Sequence, residues 1–245
     1  MNKLTIITLA LILSFQGLAQ ETETRNLSSF DGVAVSTAIE ATLTKGSSEE
    51  IKIVSEGVAL NDIITEVDGG RLKVYIDKSN NRRSDVKVYI VYKNLSSLKA
   101  SSAGSIQVTD KIIISGDFEI DVSSAGDIKA SIKADEIDID ASSAGDIKLT
   151  VEARSLEADL SSAADVEISG IVEELNVEAS SSGEFSGDDL TCNSAELRAS
   201  SGGSIAVGVK EKLKARASSG GSIIYAGTPK YLDKETSSGG SVRKD

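Results

Sequence analysis

The stretch SSAGDIKASIKADEIDIDA at residues 123–141 contains the pattern that decides the fold. After the small-residue phrase SSAG, apolar and polar residues alternate over 128–132, and they alternate again over 137–141. Alternation with a period of two is typical of a half-buried β-strand. Each such unit therefore predicts two short strands, with one turn at the SSAG phrase and another between the two runs.

The same unit recurs along the chain, at spacings of 18–22 residues. A unit of about 19 residues cannot bury its own apolar side, so successive units must stack and bury a continuous strip. This predicts an all-β fold, a single-stranded right-handed parallel β-helix whose eight phrases span about 34 Å. A leucine-rich repeat is excluded because the units lack its L-x-x-L-x-L frame and any helical stretch. The phrases begin at Ser101, Ser123, Ser142, Ser161, Ser180, Ser200, Ser218 and Ser237.

When the repeat units are aligned, residues of the same chemical type occupy the same position in successive units, and we call each such set a column. We expect Gly126 and its counterparts to take a positive φ at a tight corner, and Ala164, which replaces this glycine in one unit, to distort its corner. One column is apolar: Ile128, Ile147, Val166, Phe185, Ile205, Ile223 and Val242. Another is polar: Asp121, Asp140, Asp159, Glu178, Arg198 and Arg216.

Residues 30–100 repeat less cleanly than the regular rungs at 101–245. We interpret this part as the first, irregular coils together with an end cap, because solenoid ends need protection of their open strand edges. Residues 58–67 are expected to form one short helix. Strong strand patterns occur in IKIV at 51–54, LKVYI at 72–76 and VKVYIVY at 86–92.

The first residues indicate export. Residues 1–19 combine Lys3, a short apolar run and a small-residue end, which is the pattern of a secretory signal peptide. The apolar run is too short to span a membrane comfortably, and no later segment supplies a span. The sequence therefore predicts a signal peptide at 1–19, a short lead at 20–29 and one β-helix domain at 30–245.

The composition of the 245 residues excludes several classes of protein. Histidine is absent, so a histidine-based catalytic triad or metal site is ruled out, and the single cysteine rules out an intrachain disulfide framework and a cysteine-cluster metal site. A formal net charge of −12 argues against a nucleic-acid partner, which needs a basic surface. Cys192 is either a small buried side chain, the simpler interpretation, or a partner for a cysteine of another chain.

Three segments in a fixed order carry a resemblance to a known family. They are NLSSFDGVAVSTAIEATLTKGSSEEIKI at 26–53, TEVDGGRLKVYI at 65–76 and VKVYIVYKNLSSLKASSAGSI at 86–106, followed by SSAGDIK units. Over roughly 30–225 the chain resembles the putative auto-transporter adhesin, head GIN domain family. The resemblance implies an exported bacterial β-helix protein, mostly found in Gram-negative cell envelopes, and it brings no catalytic motif.

The sharpest polar feature is a ladder of acids at one place in four consecutive units. Like charges stacked at rung spacing repel each other, so the carboxylates either remain solvated and paired with Lys129 and Lys148 or are bridged by a hard cation such as Ca²⁺. Nearby serine hydroxyls could add ligands to such a cation site. No other cofactor is expected. The ladder consists of Asp127, Asp146, Asp165 and Glu184.

Charge is distributed unevenly along the chain. Residues 117–189 contain 20 acidic and 4 basic residues, a net charge of −16, whereas 196–245 contain 9 basic and 5 acidic residues, a net charge of +4. Two explanations remain open: charged faces that keep the protein soluble, or head-to-tail self-association of unlike zones.

Three functions fit an exported solenoid with these features. The first is a non-enzymatic adhesin or binding module, whose partner is an unidentified protein or glycan at the cell surface. The second is a structural or assembly protein of the periplasm, which needs the same rigid rod. The third is a carbohydrate-active enzyme with paired carboxylates. The spacings of 18–22 residues leave no room for the long insertions that build catalytic grooves, so the sequence favours a non-enzymatic role.

Overall fold

The computed structural model of the protein describes residues 20–77 and 85–245, so the predicted signal peptide at 1–19 lies outside the described residues. Strands account for most of the described chain, which contains no α-helix and one 3₁₀ turn at Leu60–Asp62. The strands are β1 (Glu21–Asn26), β2 (Gly32–Val35), β3 (Ile39–Lys45), β4 (Glu50–Glu56), β5 (Ile63–Asp68), β6 (Arg71–Ile76), β7 (Asp85–Tyr92), β8 (Ser97–Ala100), β9 (Ser105–Ile113), β10 (Asp117–Val122), β11 (Asp127–Ala141), β12 (Asp146–Leu160), β13 (Asp165–Ala179), β14 (Glu184–Ala199), β15 (Ser204–Ala217), β16 (Ser222–Ala226), β17 (Tyr231–Thr236) and β18 (Ser241–Lys244).

The strands form a β-solenoid of about 8 turns, which confirms the predicted fold class. The long strands β11 to β15 each pass through two faces of the coil. Face A contains the first halves of these long strands. Along the axis it begins with β1, β4, β7, β3 and β9, and it ends with β16 and β18. Face B contains the second halves of the long strands. Along the axis it begins with β5, β6, β2, β8 and β10, and it ends with β17. The right-handed sense of the coil stays a prediction.

Alternation of side chains builds the core between the two faces. In β11 the inward residues fall at even positions from Ile128 to Ala134 and at odd positions from Ile137 onward. The change of phase occurs where Asp135 and Glu136 both point away from the core, and this is the corner between the faces. Six of the seven residues of the predicted apolar column are buried and at most 1% exposed, whereas Val242 in the last rung is only partly buried. The six are Ile128, Ile147, Val166, Phe185, Ile205 and Ile223.

The SSAG corners bend through left-handed residues, but the glycine is not one of them. Ser124 (φ 51°) and Ala125 (φ 59°) take the positive φ values, so the expectation for Gly126 is wrong. Gly126 serves close approach instead: a Cβ there would lie 2.5 Å from the carbonyl oxygen of Ala100 on the preceding rung. Ala164 does not disturb its turn, because its N–H still donates to Ser161 O at 3.1 Å.

The irregular first part contains the expected end cap. The coil formed by β2 and β3 lies between the coil of β6 and β7 and that of β8 and β9, with parallel pairing throughout. Strands β1, β4 and β5 then cover the end, and β4 and β5 pair antiparallel with β7 and β6. The expected helix at 58–67 is wrong, because β-branched residues alternate there and Gly69 and Gly70 turn the chain into a β5–β6 hairpin.

Candidate binding groove

A groove of about 1440 Å³ runs along the solenoid axis where the strands of face B end and the serine corners begin. One wall is the predicted polar column, and the structure extends this column by one residue at each end, to Lys99 and Glu235. The other wall consists of the first serine of seven of the eight corner phrases. These serines are Ser123, Ser142, Ser161, Ser180, Ser200, Ser218 and Ser237.

The backbone at the ends of the face B strands forms the floor of the groove, because the side chains there point into the core. The floor residues are the last inward residues of the face B strands, and most of them are alanines, including Ala141, Ala179 and Ala199. The left-handed pair at the start of each corner then turns the chain sharply, as Ser143 (φ 52°) and Ala144 (φ 58°) do after Ala141. A strand end and a sharp corner therefore recur in each regular rung, so the groove follows the repeat.

The parallel register sets the side chains of the charged wall in a single row. Asp121 pairs in register with Asp140, Asp140 with Asp159, and Asp159 with Glu178. Because the pairing is parallel and unshifted at these positions, neighbouring carboxylates are separated by about one rung, roughly 4.8 Å. The predicted column is thus a geometric row in the folded protein.

Ion pairs neutralise the two ends of this row. Lys99 Nζ donates to Asp121 Oδ2 at 2.5 Å, and Arg198 donates to Glu178. Arg216 binds Glu235 with two hydrogen bonds, of 2.8 and 3.1 Å. A fork of two hydrogen bonds fixes the geometry of a guanidinium better than a single contact does.

Acids without a neighbouring cation occupy the middle of the row. Burial raises the pKa of Asp159, and the charges of Glu178, Asp140 and Glu157 raise it further. The ionised carboxylates in the middle of the row are therefore destabilised by burial and by mutual repulsion, even without a ligand. The middle of the groove offers acceptors, and its flanks offer guanidinium and ammonium donors.

The predicted acidic ladder lies on face A, away from the groove. Register pairs join Asp127 to Asp146, Asp146 to Asp165, and Asp165 to Glu184, as expected. Burial raises the pKa of Asp146, and the charges of Asp127 and Asp165 raise it further. Ser105 Oγ donates to Asp127 Oδ1 at 2.8 Å, so one of the nearby hydroxyls does contact the ladder.

Of the two lysines expected beside the ladder, Lys148 forms its side-chain hydrogen bonds with Glu167 instead. Lys148 Nζ binds both oxygens of Glu167, at 2.6 and 2.7 Å, and lowers the pKa of Asp146 only through its charge. Among the residues that the structure describes, no three acidic or cysteine side chains are arranged to hold a metal ion. The ladder is a line of neighbouring carboxylates, and cation binding there stays a prediction.

Cys192 belongs to the core. Its side chain is fully buried, and its Sγ lies 3.4 Å from the carbonyl oxygen of Gly208. Burial raises the pKa of the thiol to about 12, which leaves it almost entirely protonated at neutral pH. The interpretation as a small buried side chain is confirmed.

The chain is similar to known proteins in sequence and in fold. The sequence profile of the family described as "Putative auto-transporter adhesin, head GIN domain" matches residues 29–229. The chain belongs to this family. The part of this head GIN domain protein that matches ends just before the last two strands, β17 and β18. None of the curated proteins matches the chain.

Solved structures share the fold of this head GIN domain protein. A protein of Parabacteroides distasonis described as a putative lipid binding protein has a TM-score of 0.80 and 24% identity, over 92% of this chain and 96% of that chain. A putative adhesin of Parabacteroides merdae has a TM-score of 0.83 and 16% identity, over 92% and 96% of the two chains. A second protein of P. distasonis, also described as a putative adhesin, has a TM-score of 0.83 and 16% identity, over 93% and 97%.

Sequence reasoning found the charged wall of the groove but missed the groove itself. The polar column and the serine phrases are both visible in the sequence, and the structure shows that they line the same groove. The sequence analysis did not include Lys99 and Glu235 in the column, although each lies two residues before the first serine of a phrase. Lys99 precedes Ser101 by two residues, as Asp121 precedes Ser123, so the same counting would have found it.

Proposed function

We propose that the protein is an exported, non-enzymatic binding module of the cell surface that holds an extended polar chain, such as a glycan strand, along the face B groove. The observation that carries the proposal is the groove itself: it runs along the axis, and each regular rung contributes a hydroxyl and a charged group to its walls. A polymer with regularly spaced hydroxyl groups can use such a repeated set of donors and acceptors.

Export is proposed from the pattern of residues 1–19 and from membership of an adhesin-like family. In the described part of the chain, no helix is long and apolar enough to cross a membrane. Surface location is favoured over a periplasmic structural role because a groove of this length is a feature of binding, whereas a spacer needs only the rod.

The arrangement of acids supports binding rather than catalysis. Glycoside hydrolysis uses two carboxylates that flank the scissile bond from different sides. Asp140 and Asp159 stand side by side on one wall, so both approach a ligand from the same direction. The other wall presents serine hydroxyls.

One structural relative is described as a putative lipid binding protein. The walls of the groove in this chain are formed by carboxylates, guanidinium groups and hydroxyls, which acyl chains do not satisfy. The polar walls therefore favour a hydrophilic ligand over the hydrocarbon part of a lipid.

The test is binding of the labelled mature protein to an array of defined bacterial and host glycans, followed by titration of the glycans that bind. The groove variant is Asp140→Asn with Asp159→Asn, and the control is Asp146→Asn with Asp165→Asn, which makes the same charge change on face A. We expect the groove variant to weaken binding about tenfold or more, equivalent to about 1.4 kcal/mol, and the control to leave it within about twofold. Equal effects of the two variants, or no binding of the wild-type protein to any glycan, would contradict the proposal.

A further inference from the structure

Two inward columns of the solenoid, one on each face, lose their apolar character at the last rung. On face B, one such column contains six residues that are each at most 3% exposed. The parallel register continues this column into β17. The six residues are Ile120, Ile139, Ala158, Val177, Leu197 and Ala215.

In the last rung, lysines replace the apolar residue in two inward columns, whereas Leu232 and Val242 continue two others. Lys234 pairs in register with Ala215 on face B, and Lys244 pairs in register with Tyr225 on face A. Because neighbours in register share a face of the sheet, both lysine side chains occupy inward positions. β17 and β18 each have a paired strand on one side only among the described residues, so their other edges are open.

The ammonium groups of the two lysines have different contacts. Lys234 Nζ is 5.7 Å from the centroid of the Tyr225 ring, a cation–π distance. Lys244 Nζ donates to Thr228 Oγ1 at 3.2 Å. Tyr225 is itself only 4% exposed, so the lysine above it covers one of the last buried side chains of the core.

Charged residues also occupy inward positions at the opposite end. In β1, Glu23 pairs with Ile53 and Arg25 with Ile51, and both isoleucines are fully buried. Arg25 donates to Ile63 O at 2.7 Å, Leu60 O at 2.8 Å and Thr65 Oγ1 at 3.0 Å, so it ties β1 to the start of β5. Two ends with unrelated strand arrangements therefore share one feature, inward charge.

Open strand edges invite pairing with another chain, and inward-pointing charges are one means by which proteins prevent it. We propose that Lys234 and Lys244 close the C-terminal end of the solenoid against a second copy of the chain and so keep the protein a single rod. A copy docked on β17 and β18 would bury both ammonium groups against its own core, and an unpaired buried charge is strongly unfavourable.

The experiment compares the self-association of three forms of the mature protein by sedimentation velocity. The test variant, Lys234→Leu with Lys244→Val, restores apolar residues to both inward columns. The matched control, Lys230→Leu with Arg243→Val, makes the same type of change in the same part of the chain at positions outside the core. We expect the wild-type protein and the control to be monomeric at about 100 µM, and the test variant to associate with a dissociation constant of about 10 µM or below, a shift of at least about tenfold.

A third variant, Lys234→Arg with Lys244→Arg, separates charge from side-chain identity and is expected to remain monomeric. Circular dichroism checks that each variant retains its β-structure, and electron microscopy checks that the associated species are rods joined at their ends. A folded test variant that stays monomeric overturns the proposal. So does a control that associates as strongly as the test variant, or a wild-type protein that already joins through its ends. If the double variant does not fold, Lys244→Val alone decides by the same criteria.

Discussion

Three neighbouring small residues in each corner phrase have different tasks. In the phrase that begins at Ser123, Ser124 and Ala125 bend the chain with positive φ values, and Gly126 lets two rungs approach closely. The sequence shows only that all of them are small. Whether a small residue is required for its backbone freedom or for the space around its Cα depends on the neighbouring rung, which the local sequence does not describe.

This division predicts graded effects of adding a methyl group. Gly126→Ala places a Cβ 2.5 Å from a backbone oxygen, whereas Gly183→Ala places one no nearer than 3.0 Å to any atom. We expect Gly126→Ala to lower the free energy of unfolding by about 1–3 kcal/mol and Gly183→Ala to lower it by less, as measured by urea denaturation. Ala125→Gly, which relieves a left-handed alanine, should change stability by less than about 1 kcal/mol. A Gly126→Ala midpoint equal to that of the wild-type protein would refute the role assigned to this glycine.

The acidic ladder predicts a pH-dependent stability with a definite sign. The pKa of Asp146 is raised in the folded state, so the folded protein binds this proton more readily than the unfolded chain does. The ionised ladder therefore costs stability, and that cost grows as the pH rises above the unfolded value of about 3.8 and through the raised folded pKa. Asp146→Asn should stabilise the protein by up to about 1 kcal/mol at neutral pH, and the gain should vanish in acid.

Glu152 provides a control of opposite sign. Hydrogen bonds from Lys133 and Lys111 lower the pKa of Glu152, so its ionised form favours the folded state. Glu152→Gln should lower stability at neutral pH and have no effect once the pH falls below the lowered pKa. Thermal melts of both variants between about pH 3 and 7 check the two predictions, and shifts of the same sign at neutral pH would show that the electrostatic account is wrong.

At the scale of the strand, alternation predicted which residues face the core but not which strands are neighbours. The patterns at 51–54, 72–76 and 86–92 all lie within strands of the structure, in β4, β6 and β7. Their order in space could not be read from them, because β2 and β3 insert between coils that follow them in the chain. In the regular rungs, the equal spacing of the phrases fixes the neighbour of each strand, and there the columns were predicted correctly.

The expected helix at 58–67 shows how short apolar runs mislead. The run contains Ile63, Ile64 and Val67, which fit a helical spacing as well as a strand. In the structure this run is a strand because it forms a hairpin with β6, in which Val67 pairs with Leu72 and Ile63 with Ile76. Local sequence could not show this pairing, although the Asp68-Gly69-Gly70 turn signal was visible.

The N-terminal cap predicts a local effect of one arginine. Arg25 holds β1 against the 3₁₀ turn and β5 through two backbone carbonyls and one hydroxyl. Arg25→Ala removes these donors, and we expect a loss of about 1.5–3 kcal/mol in local stability. Hydrogen exchange should become faster in 21–26 and 60–65 and stay unchanged in the regular rungs, with Arg25→Lys intermediate because it keeps the charge but loses the fork. Unchanged exchange in Arg25→Ala would mean that the cap does not depend on this side chain.

At the scale of the whole molecule, the chain is a rod with a polar groove along one face, inward charges at both ends and a single buried thiol. The groove results from the regular repeat. The two ends differ from the repeat, because antiparallel strands cap the N-terminal end and lysines occupy inward positions in the last rung. The family supplies an adhesin-like framework, and the groove supplies a place where a long ligand can lie. A binding role at the cell surface requires that the protein is exposed there.

The most direct measurement uses Ser48→Cys, which places a thiol in an exposed turn. Intact cells of the native host that express this variant are treated with a membrane-impermeant maleimide, and the wild-type protein serves as the background control because Cys192 is buried and its pKa is about 12. A periplasmic protein with an exposed cysteine checks that the outer membrane is closed. The account predicts labelling of Ser48→Cys on intact cells. Labelling only after the outer membrane is opened would contradict a surface adhesin and assign the rod to the periplasm.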